Sequence, residues 1–188
     1  LENKVLLPFL GDQYGRVLED QAIAAAYENG GFVVRVYGTS LPIATRSWSF
    51  LLKPLLAWMH ARLPGDDPHV QEMESILTAI DRLPPRTETD PERLKERMRE
   101  KEVIRRRLRT LVHGYEPLAE QIDGELVHLN GRRGDPRSFD RLEALLAEQG
   151  YRLCHWKVAA DEVNFRRFFD VNELAAIRVE DPAVFSAV

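Results

Sequence analysis

Apolar positions along the chain recur with two periods, and the switch between them divides it. From Arg46 to Gln149 the spacing is mostly helical. In "DPHVQEMESILTAIDRLPP" the residues Val70, Met73, Ile76, Leu77 and Ile80 fall on one face. In "PERLKERMREKEVIRRRLRTLV" the residues Leu94, Met98, Ile104, Leu108, Leu111 and Val112 stand three or four apart, or at sums of those steps. They predict a long, otherwise charged helix with one narrow apolar stripe, ended by Gly114. "EPLAEQIDGELVHL" and "DPRSFDRLEALLAEQG" predict shorter helices, and "SWSFLLKPLLAWMHARL" one that Pro54 should break or kink. Four Asp-Pro pairs, Asp67-Pro68, Asp90-Pro91, Asp135-Pro136 and Asp181-Pro182, read as helix starts or their approach. An Asp side chain can accept from unpaired first-turn amides, and Pro suits the first helical position. "RLPGDDP" and "RLPPRTETDP" read as connections between helices.

The N-terminal part follows a different pattern. "FVVRVYG" has strand composition. "AIAAAY" could be helical on its alanines, but the "ENGG" that follows is a hairpin turn signal. The reading is a hairpin of Ala22–Tyr27 with Phe32–Gly38, and "YRLCHWK" predicts a further short strand after a helix. The expected fold class is therefore α+β, mainly helical with a small N-terminal β hairpin. It divides into a hairpin region over 1–45, a helical stretch over 46–135 and a helix-strand-helix segment over 136–188.

Composition narrows the function classes. At 188 residues, 44% hydrophobic and 30% charged, the chain can bury one domain's core as a soluble protein. A net charge of −4 gives no pull toward nucleic acid or an anionic membrane, and neither is expected as a partner. The longest apolar stretch, Trp48 to Met59, contains Lys53 and Pro54 and is too short to span a bilayer. The lone Cys154 excludes an internal disulfide and fits a reducing compartment, so a cytoplasmic location is expected. No apolar signal segment opens the chain. A start on Leu1 and an end on "VFSAV" read as a piece of a longer protein.

Candidate chemistry is sparse. There is no phosphate-binding glycine loop and no Gly-x-Ser-x-Gly elbow, and the five histidines are scattered. No metal site and no cofactor are expected. The run Arg105, Arg106, Arg107 and Arg109 could contact phosphate, but interleaved Glu96, Glu100 and Glu102 favour a solvated helix face. Sugar chemistry uses paired carboxylates, and the adjacent pairs are Asp66/Asp67, Asp161/Glu162 and Glu180/Asp181. Asp67 and Asp181 read equally as caps, and Asp161/Glu162 as a surface turn. Asp170 and Glu173 have capping-box spacing, although Asp170 could also position a sugar hydroxyl. Arg166 and Arg167 could clamp carboxylates or hydroxyls, or pair with Asp161 or Glu162. Trp156 could stack on a pyranose, but a tryptophan on a strand is more often core.

One block goes beyond these patterns. "LLAEQGYRLCHWKVAADEVNFRRFFDVNELAAIRVEDPAVF" resembles a segment of maltooligosyltrehalose synthase, a (1→4)-α-D-glucan 1-α-D-glucosylmutase of the α-amylase superfamily. "NKVLLPFLGDQYGRVLED" and "FVVRVYGTSLPIATRSW" resemble neighbouring stretches of the same family. The resemblance brackets Asn3 to Phe185 and is weak from Lys53 to Gly134. It implies an insertion domain of a (β/α)8 barrel glycosidase, between the third and fourth barrel strands. The family's three catalytic carboxylates have no counterpart here, so no catalytic residue is assigned. "FFDVNEL" with "EDPAVF" is similar to an Asp-Leu-Asn stretch beside the cleft of related amylases, with Val171 in place of the leucine. The substrate-binding candidates are thus Trp156, Arg166, Arg167, Asp170 and Asn172, in a 136–188 segment that borders the cleft. The implied parent activity isomerises the reducing-end α-1,4 linkage of a maltooligosaccharide to an α,α-1,1 linkage by retaining intramolecular transglucosylation. The isolated chain is expected to be inactive, with self-association through the surface that met the barrel. Two other readings stay open: a stand-alone α-glucan-binding module, and a helical scaffold whose Pro91–Val112 stripe packs on a partner helix.

Overall fold

A computed structural model of the chain describes residues 4–158. The architecture is α+β and mainly helical. The chain starts with β1 (Val5–Leu10) and α1 (Tyr14–Glu19), then forms three antiparallel strands, β2 (Ile23–Glu28), β3 (Gly31–Val36) and β4 (Thr39–Pro42). A 3₁₀ turn (Thr45–Trp48) leads into α2 (Ser49–His60), α3 (Pro68–Asp81), α4 (Pro91–Gly114) and α5 (Glu116–Leu129). A second 3₁₀ turn (Pro136–Phe139) precedes α6 (Asp140–Ala147), and β5 (Tyr151–His155) ends in a third, Trp156–Val158.

The expected hairpin forms as β2 and β3, in register from Ile23↔Val36 to Glu28↔Gly31. Its two-residue loop has Asn29 at φ 51° and Gly30 at φ 82°, both left-handed as a primed turn requires. The loop rests on α4 so closely that a Cβ on Gly30 would lie 2.7 Å from the Arg109 Cβ. Arg105 Nε completes the contact by donating to the Asn29 carbonyl at 3.1 Å. β4 extends the sheet beyond the predicted hairpin through a second two-residue loop, Tyr37-Gly38.

The helices pack as their apolar stripes demand. α2 touches α3 and α5, and α4 touches α3 and α5. Val70, Met73, Ile76, Leu77 and Ile80 are all buried, as the periodicity predicts. The core is continuous from the sheet (Phe32, Val34, Val36) through these helices to Leu142 and Leu145 of α6. Asp67 and Asp90 cap α3 and α4, accepting from His69 N and Arg93 N, with Pro at the first helical position of each. Asp135-Pro136 opens only the short 3₁₀ turn and makes no side-chain cap. α2 runs unbroken from Ser49 to His60 with Pro54 inside it, so the expected break at Pro54 is not there. The α4 stripe is buried only in its second half. Ile104, Leu108, Leu111 and Val112 are in the core, while Leu94 and Met98 are exposed; in that half Arg97 bonds the Pro85 carbonyl instead.

β1 was not legible in the sequence. Its partner is β5, in parallel, with Val5 opposite Tyr151 and Leu10 opposite His155. The pairing slips between Pro8 and Leu10, which leaves Phe9 as an extra residue beside a proline that has no amide to give the ladder. Among the described residues these two strands make a sheet of their own, separate from the antiparallel one. Two amide side chains, one partly and one fully buried, tie the parts together. The Asn130 side chain bonds the outer edge of β2 in both directions, accepting from Ala25 N at 2.6 Å and donating to Ala25 O at 2.9 Å. Gln149, fully buried, accepts from Ala44 N at 2.8 Å and donates to Leu145 O at 2.6 Å.

Candidate functional site

Parallel strands gather the loops that follow them at one end of a sheet, and ligands of open parallel sheets sit at those carboxyl ends. Here that rim consists of Gly11-Asp12-Gln13 after β1 and the Trp156–Val158 turn after β5, which packs against β1. The Phe9 bulge lies just before the rim, a position where an added residue re-aims the side chains that follow.

Asp12 accepts from its neighbour Gln13 N at 2.7 Å and pairs with Arg16 at 3.5 Å. The Gln13 amide foremost, then Arg16 and His155, hold the Asp12 carboxyl below its ordinary range against a smaller opposing effect of burial. Such a group is ionised at neutral pH and can accept from a hydroxyl, but it is a poor proton donor. From the antiparallel sheet Tyr37 reaches the same rim, its hydroxyl accepting from Gly11 N at 3.3 Å. Trp156 is half exposed, because β5 ends at His155 and the tryptophan sits in the turn beyond it. The expectation that it is a core residue fails for that reason. Its ring lies 5.6 Å from the His155 ring, and Lys157 Nζ stands 5.7 Å from its centroid.

Beside the rim, along β5 and α6, is an open hollow of about 800 Å³ whose lining includes Tyr14, Glu143, Tyr151, Arg152, Cys154 and His155. Burial pushes the Tyr14 phenol up to about 12, with the Glu143 charge adding to the shift and Arg152 opposing it. The Tyr151 phenol also rises to about 12 through burial, and its hydroxyl is buried with no hydrogen-bond partner among the described residues. His155 belongs to both the hollow and the rim.

Of the substrate-binding candidates read from the sequence, Trp156 is at this rim. Arg166, Arg167, Asp170 and Asn172 lie outside the described residues, as do Glu173 and the pairs Asp161/Glu162 and Glu180/Asp181. Of the Asp66/Asp67 pair, Asp67 is a helix cap that also meets His69 Nδ1 at 3.0 Å, and so has a structural role. The basic run is largely structural too. Arg105 holds the hairpin turn, and Arg107 makes a two-pronged pair with Glu72 at 2.8 Å for each prong and a third bond to Ser75. Asp12, Tyr37 and His155 were missed because each stands in a short connection or at a strand end, where no periodicity marks it. Among the described residues no cluster of three or more His, Cys, Asp or Glu could hold a metal ion, and no helix is long and apolar enough to cross a membrane. Compared with protein families, curated proteins and solved structures, the chain matches none.

Proposed function

We propose that the chain is a cleft-forming segment of an α-glucan transglucosylase of the maltooligosyltrehalose synthase type. The observation that carries this reading is the pairing of β1 with β5. The stretches that bear the two ends of the resemblance, "NKVLLPFLGDQYGRVLED" and "YRLCHWK", contain these parallel neighbours, and the helical bundle is strung between them in sequence. Parallel strands require a crossover, and parallel sheets normally have both faces covered. A parallel pair with a domain between its strands is the arrangement expected of an insertion into a (β/α)8 barrel, whose active site lies at the carboxyl ends of the strands.

In this reading the larger enzyme supplies the carboxylates that form and resolve a glucosyl-enzyme. This segment supplies walls. It keeps water from the covalent intermediate and holds the freed glucose while that sugar turns to attack with its anomeric hydroxyl. Trp156 stacks on a pyranose, and the assigned roles of Arg166, Arg167, Asp170 and Asn172 are hydrogen bonds to sugar hydroxyls. Extending the chain through the residues that follow Val188 and incubating it with maltopentaose tests the reading. The product should lose its reducing end, whereas the 188-residue chain alone should leave maltopentaose unchanged. Turnover by that chain alone overturns the proposal. In the extended enzyme, Asp170→Ala and Arg167→Ala should lower activity more than stability; equal losses assign both residues to helix capping and surface pairing. The exposed Trp156 ring also favours a second reading, a stand-alone α-glucan-binding module. Saturable calorimetric binding of maltooligosaccharides, with no transglucosylation by the extended protein, selects that one.

A further inference from the structure

The two hairpin loops of the antiparallel sheet have the same backbone and different residues. Asn29-Gly30 has φ of 51° and 82°; Tyr37-Gly38 has φ of 47° and 82°. Asparagine at the first position is the favoured choice for a primed turn, because it tolerates the left-handed region. Tyrosine is not, and a bulky residue held there is strained. The ring gains little burial in exchange, since Tyr37 remains 55% exposed. Its one hydrogen bond among the described residues, from Gly11 N at 3.3 Å, is long and lies at the carboxyl end of β1. Neither turn propensity nor packing accounts for a tyrosine at this position. Strain kept at an exposed aromatic side chain is a mark of a binding position.

The surroundings identify the ligand class. Gly11 follows Leu10, whose register partner is His155, and Trp156 comes next, 50% exposed. Two large, half-exposed rings thus stand at one rim, with the ionised Asp12 carboxylate in the same loop as Gly11. Aromatic faces suit the apolar C–H face of a sugar ring, and a carboxylate and a phenol suit its hydroxyls. We infer that Tyr37 and Trp156 form a two-ring saccharide platform, with Asp12 accepting from a sugar hydroxyl, and that the strained Tyr37-Gly38 turn is kept to hold one of its rings. The ligand class, an α-1,4-linked glucan, rests on the function proposed above; the platform itself rests on the turn.

The test is calorimetric titration of the 188-residue chain with maltopentaose, next to thermal melting without sugar. Tyr37→Asn restores the favoured turn pair. It should raise Tm by about 2–4 °C and weaken maltopentaose binding by about tenfold. Trp156→Ala should weaken binding to a similar degree, and Tyr37→Phe, which keeps the ring, should weaken it less than Tyr37→Asn. Stabilisation with loss of binding supports the platform. Maltopentaose affinity unchanged in Tyr37→Asn, or no binding by the unsubstituted chain, overturns it. Binding that behaves as expected here, together with an extended protein that fails to transglucosylate, removes the proposed enzyme and leaves the platform in place.

Discussion

Asn130 shows how much one side chain can settle. Its amide imitates a neighbouring strand, meeting both the N–H and the C=O of Ala25 where β2 has no strand beside it among the described residues. Removing a partner from buried backbone groups costs more than a hydrogen bond contributes when intact. Asn130→Ala should lower unfolding free energy by about 2 kcal/mol, read from the urea midpoint. Tyr27 is the opposite case. Its hydroxyl is buried with no hydrogen-bond partner among the described residues, and burial pushes the phenol up to about 12. Tyr27→Phe should therefore be neutral or stabilising by up to about 1 kcal/mol. These side chains could not be assigned from the sequence, since asparagine after a helix reads as a cap or turn and tyrosine in a strand as ordinary packing. Tyr37 and Asp12 were hidden for the same reason: their meaning comes from the rim that β1 and β5 build, not from their neighbours in the chain.

Elements were legible where local chemistry decides them. The Asn-Gly turn fixed the hairpin, and Asp-Pro with a helical apolar period fixed α3 and α4. β1 escaped because "VLLPFL" is apolar without alternation, contains a proline and pairs only with a strand at the far end of the described chain. The Asp67 cap makes α3 sensitive to acid. The His69 amide is the main cause that holds the Asp67 carboxyl below its ordinary range. A lowered folded-state pKa gives stability that is present above the ordinary carboxylate range and is lost as pH falls through the folded value. Asp67→Asn keeps an acceptor without the titration, so the fall in stability below about pH 4 should become shallower, as followed by melting across an acid series. Between α5 and α6, Arg141 meets the nearly buried Glu125 at 2.5 Å. Arg141→Ala strands that carboxylate and should cost about 1–2 kcal/mol, a range reduced because the arginine is partly solvated.

At the scale of the whole molecule, one core joins the sheet and the helix bundle, and α4 gives it apolar side chains only from its second half. Its buried half carries Ile104, Leu108, Leu111 and Val112, whereas Leu94 and Met98 face solvent. Local opening follows the density of buried contacts. Amide exchange across α4 should therefore be faster from Leu94 to Lys101 than from Ile104 to Val112, and equal protection would mean that the exposed half is covered in solution. The sequence stripe was continuous across both halves, and nothing in its period could show which half gives its apolar side chains to the core. The mainly helical α+β class was legible. The joining of β1 to β5, on which the proposed site depends, was not.

That joining also sets an order of assembly. Among the described residues β1 is made before the helices, yet its partner β5 is made only after the six of them. Closing so large a loop is entropically costly until the bundle has shortened the distance between its ends. During synthesis the apolar segment Val5–Leu10 must therefore wait without its partner while the rest of the domain condenses. The proposed rim is complete only once β5 is made, and a chain stopped before Tyr151 should keep its helices and lack that rim.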